Sequence, residues 1–576
     1  MQLKTIRIEN FKAIQGPAAI DIKPITLLFG PNSAGKSTII QALHYAREII
    51  ERENIDPDQT AIGGALDLGG FQQLVHGHNL DKPIRLGFRF LVESISLPEF
   101  TFINPNNVTA GIEEKLEETD EILFDVTIEA AWSHLLGVPT VTSYDLTIND
   151  QFLAKIQASK DARQIQLTKV NYSHDFLREP EEDDQDGGSP FHDDFGEPSV
   201  YHTDESDHEY SDEFDQEDQV GTLRHLSPDS HFEYRNQAND DSYDPGPYEN
   251  ASQQDSSAFS IVTPNVGVYG QNSSLPPLNR PVELAEEDAD KLLFSERICQ
   301  LLSASRWCLN EVLGNFLYLG PIREVPPRNY RPIKSPDSSR WSNGLAAWDL
   351  LFTSDRPFIE QANSWLTRKD RLDAGYKIDQ FVYKELNVNG PLMFALRQGR
   401  ALDDDWVTKE LDLLPTQRRV SLREYRGGIE GIEVRPQDIG VGISQVLPVV
   451  LISLYPHSVT GSLVAIEQPE LHVHPAFQVA LGDLFISQAV GMDGDKTFLL
   501  ETHSEHLLLR LLRRIRETAN GNYNGGVDFY PDALGIYFIE PGDETTVIAK
   551  IDVDEDGEFL DQWPRGFFEE RAKELF

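Results

Sequence analysis

The chain has 576 residues, with 50 Lys plus Arg against 95 Asp plus Glu, a formal net charge of −45. That length predicts two or three domains, and so large an acidic excess excludes a surface that wraps DNA over most of its area, though not one local basic groove. Only Cys299 and Cys308 are present and no apolar run reaches the roughly 18 residues of a membrane helix, which excludes a disulfide framework, a four-cysteine zinc site and a membrane-spanning role.

Residues 1–95 are expected to form an N-terminal lobe. The opening MQLKTIRIENF has no apolar stretch of signal type, so a cytoplasmic protein is expected. Leu3 to Ile8 alternates as a strand, and the apolar run Ile25 to Phe29 predicts a buried one. It leads into Gly30-Pro31-Asn32-Ser33-Ala34-Gly35-Lys36-Ser37, a full GxxxxGK[ST] match. Ile39, Ile40, Leu43, Ala46, Ile49 and Ile50 then recur at helical spacing. Strand, glycine-rich loop and helix are the context a phosphate-binding loop needs. Backbone N–H groups curl around a β-phosphate there, and the helix dipole favours the anion. Lys36 reaches the β- and γ-phosphates and the Ser37 hydroxyl binds Mg²⁺. Gly30 to Ser37, with Thr38, are therefore the expected nucleotide contacts, and ATP with Mg²⁺ the expected cofactor. The opening IRIENFKAI and the stretch Leu66 to Phe71 resemble the first lobe of ABC-type ATPase heads, which makes Gln72 or Gln73 the Q-loop candidate.

Residues 96–175 are expected to be the β-rich part of the same head, because 84–92, 122–131, 143–156 and 163–170 all read as strands. Between Asp175 and Asp255 lie 26 acidic side chains and three basic ones. No apolar period interrupts them, so 176–258 is expected to be a disordered insertion: either a solvated acidic loop or an arm that occupies a basic groove. Residues 284–380 are expected to be a helical insertion, with Leu292, Leu293, Ile298, Leu301 and Leu302 on one face of 284–316 and a second helix over 345–368.

Residues 381–576 are expected to complete the head. Gly440-Val441-Gly442-Ile443-Ser444-Gln445 precedes an apolar helix and describes a second anion-binding helix start. Leu463 to Ile466 is an apolar strand ending in Glu467-Gln468-Pro469-Glu470. A carboxylate there suits Mg²⁺ or its water, so Ser37 and Glu467 are the expected metal residues. Phe498 to Leu500 is another strand, followed by Glu501-Thr502-His503-Ser504. His472 and His474 have no third partner for zinc. The basic stretch Arg510, Arg513, Arg514 and Arg516 is expected to be either a solvated helix face or a contact for nucleic acid or a partner.

A loop, a Gly/Ser helix start, a carboxylate strand and a His strand, in that order, resemble the ABC-type ATPase heads of the SMC, RecF and OLD group. The resemblance implies an α/β fold: a split ABC-type P-loop ATPase head with an inserted β-rich layer, a helical segment and the acidic insertion. It implies that Gly442, Ser444 and Gln445 form the signature motif, Glu467 the Walker B acid, Glu470 to Pro475 the D-loop and His503 the switch histidine. More narrowly, Tyr318 to Arg323, VGISQVLPV, IEQPELHVHP, ETHSEHLLLRL and Trp563 to Phe568 resemble bacterial ABC/AAA-type ATPases with a C-terminal domain of unknown function. Members are similar to the ATPase subunits of anti-phage systems such as Septu and its retron-associated relatives. This implies a homodimer, or a higher oligomer, closed through ATP-sandwiched heads. It further implies a separate effector such as a nuclease; nucleic acid is a candidate partner through the basic stretch, and the missing apolar span predicts no membrane partner.

One residue departs from the pattern. ABC-type heads usually follow the Walker B acid with a glutamate base, and here Gln468 stands in that place. A neutral amide orients water but cannot take its proton. The expected catalytic set is therefore Glu467, Gln468, Glu470 and His503, with either Glu470 as substitute base or slow turnover suited to a switch. The alternative is an OLD-type nuclease or a DNA-repair ATPase acting on DNA directly. Only 73 residues follow His503, too few for a further nuclease domain.

Overall fold

The computed structural model describes all residues except 58–65, 94–95, 99–120, 160–162, 178–260, 286–294, 334–337, 457–460, 492–493, 522–526, 544 and 565–576. Residues 1–179 and 259–576 form one compact unit, and the second unit, 180–258, lies outside the described residues. The expected disorder of the acidic insertion falls there too, save at its start. Phe176 and Leu177 are buried in a short helical turn, Asp175–Leu177, so the packed chain runs past the boundary expected at 176. No described helix is long and apolar enough to cross a membrane.

Two sheets organise the compact unit. A six-stranded sheet runs in the order Leu317–Leu319, Leu463–Glu467, Thr497–Glu501, Ile25–Phe29, Leu534–Pro541, Thr546–Lys550. All neighbours are parallel except the last pair. The strands LVAIE, TFLLE and ITLLF are buried at every position. That is why they read as unbroken apolar runs, as parallel strands covered on both faces must. Successive side chains enter different cores. Leu28, Leu463, Ala465 and Leu499 pack on the side of the helix Lys36–Arg52. Leu27, Phe29, Val464, Ile466, Phe498 and Leu500 pack on the side of the helices Val441–Leu454 and Glu505–Ala519.

The second sheet has nine antiparallel strands, and it joins Gln2–Glu9, Ala18–Asp21 and Ile84–Glu93 to Glu121–Ser133 and the strands that follow. The boundary expected at 95 thus separates strands of one sheet. The single strand expected over 143–156 is a hairpin, Val138–Ile148 with Gln151–Ala158. Asn149 and Asp150 turn it at φ of 48° and 63°, a left-handed conformation that Asn and Asp tolerate and that a two-residue hairpin requires.

The segment 284–380 is not purely helical. Its helix is described as Ser295–Gly314, and Leu292 and Leu293 lie outside the described residues. Leu317–Leu319 then forms the edge strand of the six-stranded sheet. The helix expected over 345–368 is two helices, Leu345–Thr353 and Arg356–Thr367. The Asp355 carboxylate accepts from the Phe358 N–H and caps the second, with Pro357 in its first turn. The cut expected at 380/381 falls inside Tyr376–Lys384, a strand of a separate three-stranded sheet.

His44, on the helix Lys36–Arg52, is buried between Phe316 and Tyr318, at ring-centre distances of 4.9 and 4.8 Å. Neither ring nitrogen has a hydrogen-bond partner. Burial, with Arg47 adding to it, pushes its pKa down to about 3. The unfolded chain therefore takes this proton first, near the ordinary value of 6.5. The stabilising share is complete above that pH and is lost as pH falls toward 3, at roughly 1.4 kcal/mol per pH unit. His44→Phe should unfold in urea at nearly the wild-type midpoint at pH 7.5 and at a higher midpoint than wild type at pH 5. An identical loss in both proteins between these pH values would show that His44 does not titrate with folding.

Candidate nucleotide-binding site

The loop after Ile25–Phe29 is shaped by residues that tolerate positive φ. Gly30 has φ of 141°, and a Cβ there would meet the Ile539 carbonyl oxygen at 1.9 Å, so only glycine fits. Ser33 at 63° and Gly35 at 104° continue the curl. Pro31, Asn32 and Ser33 are exposed, whereas Ala34 and Thr38 are buried. The Ala34 carbonyl accepts from the Thr546 hydroxyl at 3.0 Å, which ties the loop to the antiparallel edge strand. The helix Lys36–Arg52 has no side-chain cap and no acid in its first turn. Apart from the Thr38 N–H, which donates to the Gly35 carbonyl at 3.1 Å, its start therefore keeps its dipole and its N–H groups for an anion.

Lys36 is buried and folded over the loop. Its Nζ donates to the carbonyls of Gly30 at 3.1 Å and Pro31 at 3.0 Å. It also lies 3.6 Å from Glu501 Oε1. The Ser37 hydroxyl donates to Glu501 Oε2 at 2.7 Å. Among the described residues Glu501 is thus the acid held against the loop, and the sequence alone assigned it no role.

Glu467 ends the next strand over and is the register partner of Glu501. Its Oε1 accepts from the Tyr318 hydroxyl at 2.9 Å. Burial, and then the Glu501 charge, push the Glu467 carboxyl up to about 7. Glu470, expected as a substitute base, has both oxygens in use. One accepts from the His503 N–H at 2.6 Å and the other from the Thr502 hydroxyl at 2.9 Å. Burial raises its pKa as well. Gln468 sits at φ of 46°, and its N–H donates to the Glu501 carbonyl at 2.7 Å. His503 Nε2 is buried without a partner, and burial together with the Lys36 charge lowers the imidazole's pKa.

Arg323 joins this strand end to the helix Val441–Leu454. Its guanidinium donates to the carbonyls of Glu467 at 2.8 Å, Gln468 at 3.1 Å and Gln445 at 3.3 Å. Gln445 Nε2 returns a bond to the Arg323 carbonyl at 3.0 Å. The Gln445 amide is therefore turned inward and is not free for a nucleotide. The Ser444 hydroxyl donates to the Val441 carbonyl at 2.8 Å, and a Cβ on Gly442 would lie 3.1 Å from the His472 carbonyl. Among the described residues no hydrogen bond or ion pair joins Gly442, Ser444 or Gln445 to the loop 30–38. Gln72 and Gln73 are exposed on the short helix Gly70–Leu74.

The basic helix is neutralised within the chain. Arg510 and Arg514 share Asp483 at 2.9 and 2.7 Å, Arg513 pairs with Glu517 and Arg516 with Glu558. The burial of Asp483 with two guanidiniums makes a packed helix contact at Arg510 and Arg514, whereas Arg513 and Arg516 stay on the surface, as a solvated face would have them.

Residues 25–510 match the family described as "AAA domain, putative AbiEii toxin, Type IV TA system". Residues 1–48 match an AAA ATPase domain, and residues 529–576 match a protein family of unknown function. Over 45 residues the chain is 42% identical to the DNA replication and repair protein RecF of Chlorobium luteolum, a match that spans 8% of this chain and 12% of that protein. Among solved structures, an SMC head bound to the C-terminal winged-helix domain of ScpA aligns over 96% of this chain and 99% of its own, at 7% identity and a TM-score of 0.36. The SMC head of Thermotoga maritima aligns over 96% and 100%, at 9% identity and a TM-score of 0.33. Since the first match runs from the loop strand through Thr497–Glu501 and into the helix after it, the chain belongs to this AAA-domain ATPase family.

Proposed function

We propose that the chain binds ATP with Mg²⁺ at Gly30 to Thr38, hydrolyses it slowly, and works as a two-headed switch on a separate effector in bacterial anti-phage defence. The observation that carries the reading is the meeting of Lys36, Ser37 and the strand-end Glu501 at one uncapped helix start, with Glu467 in register beside Glu501 on the next strand. The donor set fits a hard cation: the Ser37 hydroxyl and the Glu467 carboxylate are oxygen ligands of the kind Mg²⁺ takes beside phosphates. When bound, Mg²⁺ neutralises charge on the β- and γ-oxygens.

The chain's own residues do the rest. Lys36 exchanges two loop carbonyls for phosphate oxygens. His503 offers its unpartnered ring nitrogen, and Gln468 orients water. Residues 1–95 and 381–576 supply the two halves of the head, with the β-rich, acidic and helical segments between them. Gly442, Ser444 and the helix start at Val441 cap the nucleotide held by a second copy, with Gln445 acting through Arg323.

Val441 is exposed in the first turn of its helix. A carboxylate there favours the helix by about 0.3–1 kcal/mol but repels a phosphate. Val441→Glu should keep ATP binding to the single chain and lose ATP-dependent self-association in sedimentation velocity. Wild-type self-association by this variant would overturn the cross-subunit cap.

A further inference from the structure

We propose that Glu501 is a metal-side carboxylate of this site, so that the acid pair is divided between two neighbouring strands, Glu467 on one and Glu501 on the other. The inference rests on the ATP-binding reading above and extends it to a residue to which the resemblance to ABC-type heads gave no role.

The topology makes the placement. Thr497–Glu501 lies between the loop strand and the Glu467 strand, in register with both: Glu501 pairs with Glu467 on one side and with Leu28 on the other. Glu501 therefore reaches the loop from the adjacent strand, while Glu467 reaches it from one strand further away. The contacts agree. Ser37, the loop hydroxyl expected on the metal, donates to Glu501 and not to Glu467. Lys36 lies 3.6 Å from Glu501, whereas Glu467 is bound by Tyr318.

Charge gives the second argument. Glu467 and Glu501 are both buried, at 9% and 5% exposure. Lys36 is the cation paired with Glu501, while the buried Arg323 guanidinium donates to the Glu467 and Gln468 carbonyls and adds its charge beside Glu467. The two carboxylates still repel each other across the strand pair, and buried acids so placed are retained where they pair further or hold a metal. A hydroxyl and one or two carboxylates beside phosphates are the oxygen set that Mg²⁺ accepts.

The competing account is that Glu501 only holds Lys36 and Ser37 in the free loop and withdraws when nucleotide arrives. Glu501→Gln separates the two. Binding of a fluorescent ATP analogue is measured in EDTA and in Mg²⁺, and Mn²⁺ bound beside a non-hydrolysable analogue is followed by electron paramagnetic resonance. The expected result is metal-free binding close to wild type, with the Mg²⁺-dependent gain reduced at least about tenfold, since even outer-shell partners are worth roughly 10–100-fold in metal affinity. The Mn²⁺ signal should change in the same variant. An undiminished Mg²⁺ gain, or an unchanged Mn²⁺ spectrum, overturns the assignment. Should Glu501→Gln lose metal-free binding too, Glu501→Asp decides: return of the Mg²⁺ gain supports the ligand, and binding that stays insensitive to Mg²⁺ while the EDTA affinity recovers removes it. Lys36→Ala tests the underlying reading separately. If it binds the analogue like wild type, the nucleotide site itself is misplaced. If it loses binding while Glu501→Gln keeps the full Mg²⁺ gain, only Glu501 is misassigned.

Discussion

Replacing Lys36 by alanine should abolish ATP binding. The ammonium is buried and faces Glu501, with Glu467 one strand further on. Removing it leaves two carboxylates at the place where a nucleotide brings its own negative charge. Each charged hydrogen bond that Lys36 gives a phosphate is worth roughly 1.5–3 kcal/mol. Two such bonds amount to at least about a hundredfold in affinity, before the unopposed repulsion is counted. The loop also loses its internal brace, because Lys36 bonds the Gly30 and Pro31 carbonyls. Titration calorimetry of wild type and variant, with circular dichroism as the folding control, reads the effect directly. Unchanged affinity in a folded variant would move the nucleotide elsewhere.

What could be read from sequence, and what could not, follows from the range of each interaction. The loop strand, the Glu467 strand and the His503 strand were legible because a strand covered on both faces must be a run of apolar residues. The order of those strands was not legible. Lys36 and Glu501 are separated by 465 positions in the chain, and nothing local states that Thr497–Glu501 slots between its two neighbours. Glu501 was therefore visible as a strand-end acid and yet carried no role. Arg323 and Tyr318 escaped for the same reason, since their meaning lies in what they touch on Glu467, Gln468 and Gln445. Leu317–Leu319 is too short to carry a period. The turn at Asn149 and Asp150 did have a local signal, an Asn-Asp pair between two alternating runs.

The basic helix shows the converse case. Arg510, Arg513, Arg514 and Arg516 read as a charged face, and the spacing of Arg513 from Glu517 already announced one local pair. The partners that neutralise the rest, Asp483 and Glu558, come from other elements. A charge cluster in sequence is a binding surface only where the fold leaves it unpaired.

Turnover should be slow in the wild-type chain, and Gln468→Glu should raise it by roughly 10²–10⁴-fold, the range for a well-placed base. The backbone under this residue is fixed: its N–H is held by the Glu501 carbonyl and its carbonyl by Arg323. A glutamate would therefore project from the same point as the amide, and the substitution changes a water-orienting group into a proton acceptor with little change of shape. Glu470→Gln should behave differently. Both Glu470 oxygens are committed to His503 and Thr502, so its work is to hold that turn rather than to receive a proton. Its loss should lower turnover by a similar factor in the wild-type and Gln468→Glu backgrounds, because a scaffold effect does not depend on which residue is the base. A substitute base would give the opposite pattern, with turnover eliminated in the wild-type background and largely spared once Gln468→Glu supplies the proton acceptor. Glu467→Gln should instead weaken Mg²⁺-dependent binding. Steady-state ATPase rates across the four combinations at positions 468 and 470 distinguish these outcomes. Fast wild-type turnover that survives Glu470→Gln would contradict both the slow switch and the substitute base, and would place the proton acceptor on another residue of the site.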